Sequence, residues 1–308
     1  MSDPQPRPDM IGGVPTPPLA ILPRPGQLFG QRAERFAFLA QGSALGPYLV
    51  FLAALCRVQA RLADSLPAVA APDADKVALA RAARMPPLDR PLLVDDPGLA
   101  DTLDALIAEA AGIDMPAPAR LALDALRHST AEDRRWLLGN VMADTIPDDS
   151  AAPHLFVAAA VQVHMARLAA TLEAGQLVPI RIGVCPACGG RPSASVVTGI
   201  MGAEGARYAA CACCQTLWNE VRVHCLSCGT NEGIGYQGVD DGGADEKTGA
   251  QIRAETCDGC GSWVKIMAQN RNPSLDPLAD DVASLGLDGL MRGSAWRRAG
   301  FDPFLIGY

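Results

Sequence analysis

Eight of the ten cysteines in this 308-residue chain fall into four Cys-x-x-Cys pairs: Cys185/Cys188, Cys211/Cys214, Cys225/Cys228 and Cys257/Cys260. A Cys-x-x-Cys turn places two sulfurs on one side of a tight loop, and two such loops facing each other make a tetrahedral cage. Eight thiols grouped this way supply the ligands of two four-coordinate metal sites. All-thiolate donor sets select zinc, or iron held by sulfur. The competing reading is a disulfide framework, which belongs to oxidising compartments. The segment Met1 to Pro25 is Pro-rich and polar, without the apolar stretch of an export signal, so a metal-binding cytoplasmic protein is expected.

Spacing suggests the pairing. There are 22 residues between Cys188 and Cys211, 28 between Cys228 and Cys257, and 10 between Cys214 and Cys225. Sequential closure gives one site from Cys185, Cys188, Cys211 and Cys214, and another from Cys225, Cys228, Cys257 and Cys260. Interleaved pairing is the alternative. Glycine follows Cys188, Cys228 and Cys260, where a chain that folds back over its sulfur favours a left-handed residue. Gln215 follows Cys214 instead, so the second knuckle is expected to be strained or differently shaped. Cys213 is left as a spare thiol, and Cys56, among Leu49, Val50, Leu52 and Leu55, reads as a small buried hydrophobe. Of the histidines, His128, His154 and His164 form no ligand pattern. His224 adjoins Cys225 but reads as hydrogen-bonded rather than ligating. Trp218 and Arg222 lie between the sites at a spacing that puts them on one face of a strand, Trp218 for packing and Arg222 as a candidate for interaction.

The elements that position these thiols divide the chain. Residues 1–25 form a Pro-rich arm, either disordered or wrapped along the body in extended form. Residues 26–180 read as an all-helical domain, with helices over 26–41, 45–66 and 73–85. Asp96-Pro97 opens another, with Leu99, Leu103, Leu106 and Ile107 at helical spacing. The capping box at Thr130–Asp133 starts a helix running to Met142. Residues 151–174 are apolar nearly all round, the mark of a central buried helix. Beyond Pro179 the pattern changes to short strands: Ser195–Thr198, Leu217–Val223, Gly233–Val239, Ile252–Thr256 and Trp263–Met267. An acidic loop covers Asp240–Gly249, and a last helix spans Pro277–Met291. The expected fold is α+β: a helical N-terminal domain, a first four-cysteine rubredoxin-like or zinc-ribbon module over 181–223, and a second over 224–308 that includes the C-terminal helix and tail.

Composition excludes several functions. The stretch Cys185–Asn272 holds seven Arg or Lys against nine Asp or Glu, which lacks the basic surface that nucleic-acid ribbons use to neutralise phosphate. No apolar run is long enough for a membrane span; Leu45–Cys56 comes nearest and is interrupted by Gly46 and Pro47. The chain has no phosphate loop, His-Glu-x-x-His motif or nucleophile elbow. A closed four-thiolate site keeps no open position to activate water. The pattern therefore points to a non-enzymatic scaffold, a sensor or a one-electron centre.

The cysteine region carries the linked motifs Cys185-Pro-Ala-Cys188-Gly189, Arg207-Tyr208, Cys211-x-x-Cys214-x-x-x-Trp218, Val221-Arg222-Val223-x-Cys225-x-x-Cys228 and Ala254-Glu255-x-Cys257-x-x-Cys260-Gly261. In these it resembles the formate dehydrogenase accessory protein FdhE family. Downstream, Ala279-Asp280-Asp281-Val282-Ala283-Ser284-Leu285 and Pro303-Phe304-Leu305 also fit, so that residues 185–305 are covered. Gln215 and Cys213 depart from it locally. The resemblance implies a cytoplasmic chaperone or assembly factor that binds the catalytic subunit of a respiratory formate dehydrogenase, without nucleic acid or membrane insertion. It also implies rubredoxin-type sites, two iron ions rather than zinc. A zinc-ribbon nucleic-acid or transcription-associated protein is the alternative reading, and a component of an electron-transfer enzyme a third.

Overall fold

The computed structural model describes residues 10–11, 14–238 and 251–305. The loop expected at Asp240–Gly249 and the first part of the arm lie outside the described residues. The helical body comprises α1 (Pro25–Leu39), α2 (Gly46–Ser65), α3 (Ala74–Ala82), α4 (Arg90–Leu93), α5 (Pro97–Ala110), α6 (Ala117–Arg127), α7 (Ala131–Met142) and α8 (Ala151–Ala169). Helix α8 is buried along almost its whole length, and α2, α5, α6 and α7 pack around it. Local chemistry sets the helix starts. The Asp96 carboxylate accepts the N–H groups of Gly98 and Leu99 at the head of α5, and Thr130 and Asp133 cap each other at α7. Each such cap stabilises by roughly 1 kcal/mol.

Helices α4 and α6 have no counterpart among the expected elements. Helix α6 opens on Pro116-Ala-Pro118, because proline is tolerated in a first helical turn, where its missing N–H has no intrahelical partner to lose.

Beyond the body, one sheet takes in strands from both cysteine modules. Its members are β3 (Ala20–Ile21), β4 (Pro192–Val197), β5 (Arg207–Cys211), β6 (Leu217–Glu220), β7 (Ile234–Gln237), β8 (Ile252–Cys257), β9 (Ser262–Met267) and β10 (Arg297–Arg298). Strands β1 (Met10–Ile11) and β2 (Val14–Pro15) form a separate small hairpin. The order is β3-β6-β5-β4-β9-β8-β7, with β10 beside the start of β9. The joint is β4 with β9, parallel, through Ser195↔Ile266 and Val196↔Met267. The arm pairs with the sheet at Ala20–Ile21, adding an edge strand to β6. Strand β5 was not among the expected strands, because its Ala209-Ala210 pair is weak β-forming sequence. Strand β6 stops at Glu220, so Arg222 lies past its end and not on a shared face with Trp218.

The expected C-terminal helix is two short ones, α9 (Ala279–Ala283) and α10 (Leu285–Met291). The buried ammonium of Lys265 explains the break. It donates to the Asp281 carbonyl at 2.7 Å and to that of Ser284 at 3.3 Å, capturing acceptors that a continuous helix would use internally. The same Lys265 meets the carboxylates of Asp281 and Asp288, and Arg298 closes the network against both.

Candidate metal centres

Turns between the strands bring the eight cysteines together in two sets. Cys185, Cys188, Cys211 and Cys214 form one, Cys225, Cys228, Cys257 and Cys260 the other, with the sulfurs of each set within 4.8 Å of one another. These are the sequential sets, not interleaved ones. In the first, Cys185 and Cys214 are 3.6 Å apart and Cys188 and Cys211 3.5 Å. In the second, Cys225 and Cys260 are 3.6 Å apart and Cys228 and Cys257 3.8 Å. A tetrahedral site with metal–sulfur bonds of about 2.3 Å has sulfur–sulfur edges of about 3.8 Å. Soft donors at this spacing could hold a metal ion in each cluster.

Local backbone geometry builds the cages. Gly189, Gly229 and Gly261 adopt φ of +75°, +79° and +65°, and each N–H donates back to the carbonyl of the first cysteine of its pair. Gln215 takes the same left-handed turn at φ +64° without glycine's freedom. Its side chain holds the turn: Nε2 donates to the carbonyls of Ala212 at 3.0 Å and Cys213 at 3.3 Å. Its Oε1 accepts from Arg32 Nη2 at 2.9 Å. The second knuckle is thus shaped like the others and held by side-chain bonds.

The clusters differ in surroundings. All four cysteines of the first are buried within the main hydrophobic core, whereas Cys228 and Cys260 of the second are exposed. Residues of the helical body and of the loop before α4 grip the first cluster. Gln162 of α8 donates to the Ala212 carbonyl at 3.1 Å, and the Leu88 N–H donates to Ala187 at 3.1 Å. Buried Arg90 lies against the first cluster as well. Burial works against its charge, but the Cys213 and Cys188 sulfurs and Asp144 outweigh that and raise its pKa. Gln162, Leu88 and Arg90 were not singled out from the sequence. They are far along the chain from the knuckles they meet, and nothing in local spacing signals them, whereas Gln215 was marked by standing where the other knuckles carry glycine.

Burial pushes the Cys185 and Cys214 thiols up, while hydrogen bonds from Cys185, Cys211 and neighbouring thiols bring Cys188 down. At the second cluster, burial would raise Cys225. The Cys228 N–H and the Ser262 hydroxyl outweigh it and bring Cys225 to about 7. Ser262 Oγ stands 3.0 Å from Cys260 Sγ, and Thr216 Oγ1 stands 3.2 Å from Cys214 Sγ, an equivalent place in the first cluster.

The remaining residues fall as follows. Cys213 is buried but belongs to neither four-sulfur set. Cys56 is fully buried, its thiol pushed up to about 12 by burial. His224 Nε2 faces Glu220 at 3.2 Å and is not part of the neighbouring set. Trp218 is packed inside and donates to Glu220 at 2.7 Å. Arg222 is exposed and donates to the Gly205 carbonyl.

Comparison with known proteins places the chain in a family. The FdhE N-terminal family pattern matches residues 17–181, the FdhE central domain residues 184–222, and the FdhE C-terminal domain residues 223–305. The chain belongs to the FdhE family. It is 55% identical over 304 residues to the FdhE homolog of Rhizobium meliloti, covering 99% of this chain and 98% of that one. It is 33% identical over 296 residues to protein FdhE of Escherichia coli strain HS, covering 94% and 91%. The crystal structure of the FdhE protein from Pseudomonas aeruginosa superposes with a TM-score of 0.82 at 33% identity, over 94% of this chain and 99% of that one. Among the described residues, no helix is long and apolar enough to cross a membrane.

Proposed function

We propose that this chain is a non-catalytic accessory factor that binds the catalytic subunit of a formate dehydrogenase in the cytoplasm and is needed for that enzyme's activity. The observation that carries the reading is FdhE membership along nearly the whole chain together with two complete four-sulfur clusters. In this reading Cys185, Cys188, Cys211 and Cys214 hold one iron ion, and Cys225, Cys228, Cys257 and Cys260 a second, with zinc as the other metal the donor set accepts. An ion in either place supplies a cross-link between knuckles and, if it is iron, one-electron chemistry. Four protein ligands leave no vacant position, so the chain acts by holding and presenting surfaces, not by turning over substrate. The working division is an arm to residue 25, a helical domain over 26–180, and cysteine modules over 181–223 and 224–308.

The test is a deletion strain grown on formate, with affinity capture from cells carrying the tagged protein. The expected result is loss of formate dehydrogenase activity while its polypeptides are still made, with the catalytic subunit recovered on the tagged chain. Full enzyme activity in the deletion, with no second copy of the gene, contradicts the reading.

A further inference from the structure

A divalent ion held by four thiolates leaves a net charge of about −2 on the cage. Water can screen that charge at the second cluster, where two cysteines are exposed. The first cluster is inside the core, where an uncompensated charge is costly. A buried cation close to it offsets that cost.

Arg90 is in that position. Its residue is 6% exposed, and it belongs to α4 of the helical body, far from the cysteines in sequence. A side-chain carbon built at Gly190 would lie 3.2 Å from Arg90 Nη1 and 3.3 Å from the sulfurs of both Cys188 and Cys211. The guanidinium and the sulfurs thus share the small space that this glycine leaves open. The other side of the guanidinium is fixed by Asp144, with Nη1 donating to Oδ2 at 2.8 Å and Nη2 to Oδ1 at 2.6 Å. Nη2 also donates to the Val141 carbonyl at 3.1 Å at the end of α7. Asp144 Oδ2 in turn accepts the backbone N–H of Arg191, which follows the knuckle, at 3.2 Å. Arg32, also buried, is turned to Asp276 and to Gln215 on the opposite knuckle.

We propose that Arg90 is the charge partner of the first cluster and that, with Asp144, it ties metal binding there to the stability of the helical body. The inference rests on the metal-binding reading above. Arg90 touches no reacting group; it is a positioning residue. When the cage is filled, the guanidinium faces a net negative charge on one side and a carboxylate on the other. When the cage is empty and its thiols are protonated, that first attraction is gone, and the joint between α4, α7 and the Cys188 knuckle loosens.

The experiment uses the full-length protein stripped of metal and titrated with cobalt(II) against a chromophoric chelator, with the sulfur-to-cobalt absorption bands and the melting of the helical signal as readouts. Arg90→Met is expected to weaken one of the two cobalt sites by about 10- to 100-fold, the usual scale for an outer-shell partner. It should also shift that site's bands and remove the dependence of helical melting on cobalt. Arg90→Lys should restore part of the affinity. Wild-type affinity and bands at both sites in Arg90→Met overturn the proposal. So does recovery of the lost affinity in Arg90→Met/Asp144→Ala, because that would mean only the broken ion pair mattered. If Arg90→Met does not fold, Arg90→Gln, neutral but able to hydrogen-bond, gives the same two-way answer. A wild-type protein that binds no cobalt at the first cluster refutes the metal-binding reading itself, a result distinct from failure of the Arg90 variants.

Discussion

Cys185, Cys188, Cys211 and Cys214 sit beneath the helical body, in one continuous core with α2, α5 and α8, while Cys228 and Cys260 of the second cluster face solvent. The knuckles themselves are alike: the same two-residue spacer, the same left-handed residue after Cys188, Cys214, Cys228 and Cys260, and sulfur separations of 3.5 to 3.8 Å in both. The motif therefore determines the cage, and the rest of the fold determines what the cage does. An ion held in the first cluster would fasten the sheet to the helical body, through Arg90, Gln162, Gln215 and Leu88. One held in the second would join β8, β9 and the loop before β7, beside the exposed Cys228 and Cys260.

The sharpest way to break this contrast is to remove one ligand from each side. Cys214→Ser is expected to release one metal and to cost on the order of 5 kcal/mol or more, because metal binding at a buried site is part of folding. Cys260→Ser should also release one metal, yet leave the helical body folded with a clearly smaller loss. Metal analysis and thermal melting followed by helical circular dichroism check both. Equal losses for the two variants would remove the distinction.

A further variant tests how the clusters are joined. Gly183 has φ +67°, and a side-chain carbon there would lie 2.1 Å from the Leu226 carbonyl of the second cluster's first knuckle. Gly183→Ala is expected to cost about 2–4 kcal/mol from the strained φ and the backbone clash together. The damage should fall on the second cluster, and chemical denaturation with metal release followed in parallel will show whether it does.

The smallest effect concerns pH and belongs to the helical body alone. His164 is 2% exposed, neither ring nitrogen has a hydrogen-bond partner, and burial lowers its pKa despite Asp96 nearby. The unfolded chain therefore binds a proton at a pH where the folded chain does not. Stability is fully present above the unfolded histidine value of about 6.5 and is lost as pH falls from there toward the lower folded value. His164→Phe should flatten this part of the stability profile in urea titrations between neutral and mildly acid pH. An unchanged slope would mean that another group, such as the buried His154, carries it.

The sequence made the cages readable because their information is local. Spacer length, glycine position and gap length favoured the sequential sets over interleaved ones, which the structure then showed, and the helical body follows from caps and apolar spacing. What it hid depends on distant partners. Arg90 is an ordinary charged residue until Gly190 and Asp144 are placed around it. Lys265 reads as a strand residue, yet it divides the C-terminal helix from across the core. Nothing in the alternation of β4 and β9 announces that they pair and join both modules in one sheet. Gln215 lies between these cases, since its place in the motif marked the knuckle as different, but only Arg32 and Ala212 show how an amide replaces glycine there.

The most direct test of unequal clusters is metal analysis of the anaerobically purified protein, followed by timed removal with a water-soluble chelator. The account predicts two ions per chain leaving in two phases, the fast one abolished by Cys260→Ser and the slow one by Cys214→Ser. A metal content near zero, or a single phase in which both ions leave together, would contradict it.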